Sequence, residues 1–191
     1  MPLPRRRTIA AGMLALALTV PAAAAAQSDA EQASPSPEDP LPVLDGVGWY
    51  ESVALAGDEW SAELSADELA EWDTFAETAG VSIDQVEYSY QQAFDPAELP
   101  VIGGIASVRI AGVATDVVRD AVIADLSAQV TGLGEAEPAV SEAVMAQKDV
   151  LVVPMPEALS DHDAVVYASG DRAWVILLDA DLVEQMLNQL P

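Results

Sequence analysis

The chain contains no cysteine. It therefore has no disulfide staples, no thiolate nucleophile and no soft metal ligand, and a lipid-modified cysteine anchor is excluded as well. Bases are scarce: seven lysines and arginines stand against 32 aspartates and glutamates, a formal net charge of −25. Such a field repels phosphate backbones and anionic bilayers, which removes nucleic acids and acidic lipid surfaces as partners. Histidine occurs once, at His162, and aromatic residues make up only 5% of the chain. One imidazole cannot form a transition-metal centre unless carboxylates from distant positions converge on it. No G-x-S-x-G elbow, Walker lysine, G-x-G-x-x-G, EF-hand loop or repeated acidic nonapeptide is present.

What is present begins with an export signal. Arg5, Arg6 and Arg7 form a basic start, and Ile9 to Val20 an apolar stretch. "PAAAAAQ" follows, with Ala24 and Ala26 placed for cleavage before Gln27. The apolar stretch is shorter than the ~20 residues a spanning helix needs, so no membrane span is expected once residues 1–26 are removed. Arg5 to Arg7 leave with the leader and no acid precedes Asp29, so four bases then face 32 acids, or −28. Residues 27–42 are rich in Pro, Ser and acids, too poor in large apolar groups to offset the entropy of ordering, and read as a disordered tether. Residues 43–191 are about 150 in number, a single domain's length.

Local patterns outline that domain. "WYESVALAG" reads as a strand. "SADE" from Ser65 is a capping box for a helix whose buried stripe is Leu69, Trp72, Phe75 and Ala76. "VEYSYQQAF" alternates, with Val86, Tyr88, Tyr90 and Phe94 on one face and a wet face opposite. "IGGIASVRIAG" predicts a further strand, and its adjacent glycines a tight turn or bulge. A helix over 116–130 follows, with Val118, Val122, Leu126 and Val130 inward. "SVALAG" and "SVRIAG" share four residues in register, as two related halves would. "AVSEAVMA" and "DVLVVP" read as strands broken at Gln147-Lys148. "AVVYASGDRAWVILL" predicts a hairpin turning at Gly170-Asp171 as type II′, with Ser169 opposite Arg172 and Tyr167 opposite Trp174. Both its faces are apolar, which places it inside the sheet. A last helix from Asp181 buries Val183, Met186, Leu187 and Leu190.

The expectation is an α+β fold: a largely antiparallel sheet with helices on one face, a ferredoxin-like βαββαβ core, and an added C-terminal hairpin and helix. The leader, the acidic Pro/Ser tether, the strand–helix units and the closing "SGDRAWVILLDADLVEQMLNQLP" resemble a group of short exported hypothetical proteins of high-GC bacteria. The resemblance rests on turns and caps. It implies no activity and carries over no functional residue.

Candidate chemistry centres on "DHD", Asp161-His162-Asp163. The residue types suit a metal or acid–base site, and the setting after Pro154 and Pro156 suits a polar turn before a strand. No catalytic or metal set is expected from it, and no cofactor. Asp67 with Glu71 and Asp73 with Glu77 read as an acidic helix face, and Asp179-Ala180-Asp181 as a helix N-cap. Trp72 and Trp174 read as core; Trp49 and Trp60 are candidates for an exposed binding patch. The functional expectation is an exported, non-catalytic binding or interaction module for a protein or cell-envelope ligand. The alternative is an acidic calcium-binding envelope protein with weak attraction for divalent cations, and a hydrolase is the residual option.

Overall fold

The computed structural model describes residues 41–50, 53–57, 64–97 and 100–191. The leader, nearly all of the tether, and Trp60 lie outside the described residues. The elements in chain order are β1 Gly48–Trp49, β2 Val53–Leu55, α1 Ala66–Thr78, β3 Val86–Phe94, β4 Val101–Ile110, α2 Thr115–Gly132, β5 Ser141–Met145, β6 Lys148–Val153, β7 Ala164–Ser169, β8 Arg172–Leu177 and α3 Ala180–Gln189. They form an α+β fold built on one eight-stranded open sheet in the order β1-β3-β4-β8-β7-β6-β5, with β2 also on β3.

Local signals placed several elements as expected. Ser65 and Glu68 exchange both capping-box bonds at the start of α1. The Ser65 hydroxyl, then its amide, hold the Glu68 carboxyl below its ordinary pKa. Val118, Val122, Leu126 and Val130 are the buried stripe of α2. The β7–β8 hairpin has the expected register, Tyr167 against Trp174 and Ser169 against Arg172. Its turn has Gly170 at φ 65, the first position of a type II′ turn. The Tyr167 and Trp174 rings stack with centroids 5.5 Å apart.

Several expectations are corrected. First, the helices do not share one face. α1 and α2 cover one side of the sheet with Trp72, Phe75, Val118, Val122 and Leu126, against Tyr88, Val108, Val166 and Val175. The other side is covered by Val183, Met186, Leu187 and Leu190 of α3 together with Leu41 and Leu44, against Ile105, Val165, Trp174 and Ile176. The cause is already in the hairpin: both of its faces are apolar, so each needs a cover. Second, every strand pair among the described residues is antiparallel. A split βαβ unit would set parallel strands in the sheet, so the ferredoxin-like core is not confirmed.

Third, "SVALAG" and "SVRIAG" do not head equivalent units. β2 is a three-residue edge piece, whereas β4 is ten residues long and central. Fourth, the far face of β3 is not fully wet: Ala93 is buried there, and the residues between are half-buried. The β5–β6 turn sits one residue earlier than expected, at Ala146-Gln147, with φ 50 and 62. Core packing also reaches back to Leu41, which is buried on the α3 face.

Candidate functional site

The segment between β6 and β7 folds as a polar turn. The Ser160 hydroxyl accepts the His162 amide at 3.0 Å, and the Asp163 carboxylate accepts the Met155 amide at 3.3 Å. Those two bonds turn the backbone and send the imidazole inward, beneath the end of the sheet. Its Nε2 lies 3.0 Å from the carbonyl oxygen of Ile102. A carbonyl only accepts, so Nε2 carries the proton. Nδ1 then faces the Asp179 carboxylate at 3.6 Å, with the His162 side chain 22% and that of Asp179 75% exposed.

The Ile102 carbonyl is available because β4 bulges. Ala93 pairs with Gly103 but Phe94 pairs with Val101, which leaves Ile102 as the extra residue. The adjacent glycines make this geometry attainable. Gly103 has φ 138, and a Cβ there would stand 1.8 Å from the Leu177 carbonyl oxygen. A Cβ on Gly104 would stand 2.8 Å from the Gln91 carbonyl oxygen and 3.0 Å from the Tyr90 hydroxyl. Beside the pair lies a cleft of about 200 Å³, lined among others by Tyr90, Gln92, Gly103, Gly104, Leu159 and His162. Burial raises the Tyr90 phenol above its ordinary pKa, partly opposed by a hydrogen bond with the Gln92 side chain. The phenol therefore stays protonated inside the cleft. Glu157 and Asp161 stand at its rim, both exposed.

This arrangement presents hydrogen-bond donors and acceptors along the cleft. In a Ser-His-Asp triad, Nε2 faces the nucleophile; here it is engaged with a backbone carbonyl, and Ser160 serves the turn. Asp179 occupies the N-cap position of α3, as its place in the sequence predicted, yet its side chain caps no amide. The carboxylate faces His162 instead. Of the predicted site residues, His162 and Asp161 line the cleft, while Asp163 is used by the turn. Trp49 is not in an exposed patch: it is half-buried against the α3-face core, and its indole N–H is buried with no partner among the described residues. Trp72 and Trp174 are core, as expected. Among the described residues no three His, Asp or Glu side chains gather as a metal set. Asp67, Asp73 and Glu77 are exposed along α1.

Tyr90, Gln92 and the glycine pair are functional candidates that the sequence reading passed over. One signal could have found them: "QQ" interrupts the alternation of β3 at the same level where "GG" interrupts β4. No family model matches the chain, and no curated protein or solved structure matches it.

Proposed function

We propose that the protein is an exported, non-catalytic binding module whose ligand enters the cleft beside the β4 bulge. The observation that carries this reading is the glycine pair. The close backbone approach that Gly103 and Gly104 permit sets a protonated phenol, a primary amide and an imidazole along the wall of one recess. Those groups supply donors and acceptors at the end of an apolar wall, the pattern of a small-solute site. The carboxylates of Glu157 and Asp161 at the rim favour a neutral or cationic solute over an anion. Export rests on the basic start, the apolar stretch and the alanine-rich cleavage site of residues 1–26.

The test is an amide-resolved NMR titration of the full chain with a panel of free amino acids, simple sugars and short polyamines at millimolar concentration. At least one solute is expected to move the amide signals of Gly103, Gly104 and His162, and Tyr90→Phe to weaken its binding about tenfold. Silence of those three amides across the panel would overturn the reading. So would turnover on a hydrolase panel that His162→Ala abolishes. N-terminal sequencing of the secreted protein is expected to begin at Gln27.

A further inference from the structure

The two edges of the sheet are finished differently. At one edge β3 is covered by the short strands β1 and β2. At the other, β5 pairs with β6 alone and ends the sheet. A bare edge is a template for another strand, and folded proteins usually blunt it with proline, lysine or a bulge. β5, "SEAVM", contains neither residue, and its register with β6 runs without a break.

The turn tells which backbone groups are free. Ala146-Gln147 is a two-residue loop, so its flanking pair, Met145 and Lys148, is hydrogen-bonded. Bonded and non-bonded pairs alternate along an antiparallel ladder. Ala143 and Ser141 therefore also point their amides at β6, while the N–H and C=O of Val144 and Glu142 point away from the sheet. Among the described residues nothing pairs with these outward groups.

The side chains beside that edge are apolar and acidic. Val144 is 71% exposed and Val140 37%, the former the most exposed large apolar residue among those described. Val144 lies on the α2 side with Glu142, and Asp149 stands across the ladder from Val144. Glu135 and Glu137 lie exposed in the lead-in. The single lysine, Lys148, turns to the other face, where it bonds the Pro191 backbone oxygen at 2.8 Å. A second copy fits poorly: antiparallel self-pairing of β5 brings the same acidic strip of two −25 chains together.

We propose that the β5 edge receives an extended, basic segment of a partner protein, which adds a ninth strand to the sheet. The partner's outward amides bond Val144 and Glu142, its alternate apolar side chains cover Val140 and Val144, and its cations meet Glu142 and Asp149. This surface is separate from the cleft, and its success or failure leaves that site's reading untouched.

The probe is a nine-residue peptide with valine and lysine in turn at every second position and threonine between them, so that both kinds of side chain share one face of the added strand, titrated into the full chain. Its control is the same peptide N-methylated at alternate amides, which keeps the charge but cannot complete a ladder. The unmodified peptide is expected to bind at β5, and the methylated one about tenfold more weakly. Val144→Pro removes an outward N–H at an edge position that tolerates proline, so it is expected to weaken binding by a similar factor at an unchanged melting temperature. Glu142→Lys, which leaves the backbone intact, is expected to weaken it too and to guard against a folding defect in the proline variant. Equal binding of both peptides, binding unaffected by both substitutions, or no binding at all would each overturn the proposal. Sedimentation showing a dimer that Val144→Pro dissolves would assign the edge to a second copy and overturn it as well.

Discussion

The two faces of the sheet are held shut by different means. On one, α1 and α2 are spliced between strands, and large side chains such as Trp72, Tyr88 and Leu126 are buried without residual exposure worth noting. α2 runs over β7 and β8 and touches α1. On the other, the cover comes from elements flanking the strands: residues 41–47 and α3. Here polar contacts hold the cover down. The Tyr167 hydroxyl and the Lys148 ammonium both donate to the Pro191 backbone oxygen, and the ammonium also sits 4.7 Å from the Tyr167 ring. The same face buries the indole N–H groups of Trp49 and Trp174 with no partner among the described residues. Cohesion by area resists opening piece by piece. The α3 cover relies on a few latches besides its buried area, so it is expected to open locally at lower free energy.

The largest effect that would separate the faces is alkaline. Burial raises the Tyr88 phenol well above its ordinary value of 10.0, with Tyr90 and Asp125 adding to it, and burial raises Tyr90 as well. A raised folded pKa means a stabilisation that is whole below the unfolded value and lost as pH rises through the folded one. Both phenols belong to the α1–α2 face. Above pH 10 their ionisation is therefore expected only together with cooperative unfolding, read as coincident phenolate absorbance and loss of circular dichroism. Phenolate absorbance from all the tyrosines with the fold intact would contradict this.

Core truncation comes next. Leu126→Ala and Met186→Ala each remove a fully buried side chain, one from each face, and each is expected to cost about 3 kcal/mol. Hydrogen exchange should tell them apart. The first lowers protection throughout the sheet, whereas the second releases the α3 amides ahead of the rest. If both spread equally, the faces are one cooperative unit and the comparison fails. Smaller still, Tyr167→Phe removes one latch and is expected to cost about 1 kcal/mol, with faster exchange in α3 and no change in α2. The smallest change acts on neither cover. Ala146 and Gln147 both occupy left-handed backbone that asparagine and glycine adopt more readily, so Ala146→Asn with Gln147→Gly is expected to raise stability by about 1 kcal/mol. Chemical denaturation should show the gain while the order of exchange between the faces stays as before.

What the sequence made legible was whatever neighbours in the chain decide among themselves. Ser65 and Glu68 lie three residues apart, and Gly170 sets the register of residues on either side of it; both could be read directly. The pairing of β4 with β8 joins residues such as Arg109 and Arg172, which no local pattern links. The same reason hid the site. The turn that holds His162 is legible in its residues, but the partners Ile102 and Asp179 are brought to it by the tertiary fold. The adjacent glycines signal a turn or bulge, and the bulge lies beside them at Ile102; what faces it depends on Tyr90 across the sheet. The placement of α3 followed from an apolar hairpin with two faces to cover, an inference that periodicity alone does not force.

The central seam also sets a timetable. β3 and β4 are hairpin partners and can meet as soon as both exist, but β8 follows β4 only after residues 111–171. At about 5–20 residues per second of synthesis, β4 waits several seconds with a long apolar edge unclaimed. During that interval the nascent chain cannot close its sheet, and the edge that β8 will take stays open. The late seam ties completion of the sheet to the last third of the chain.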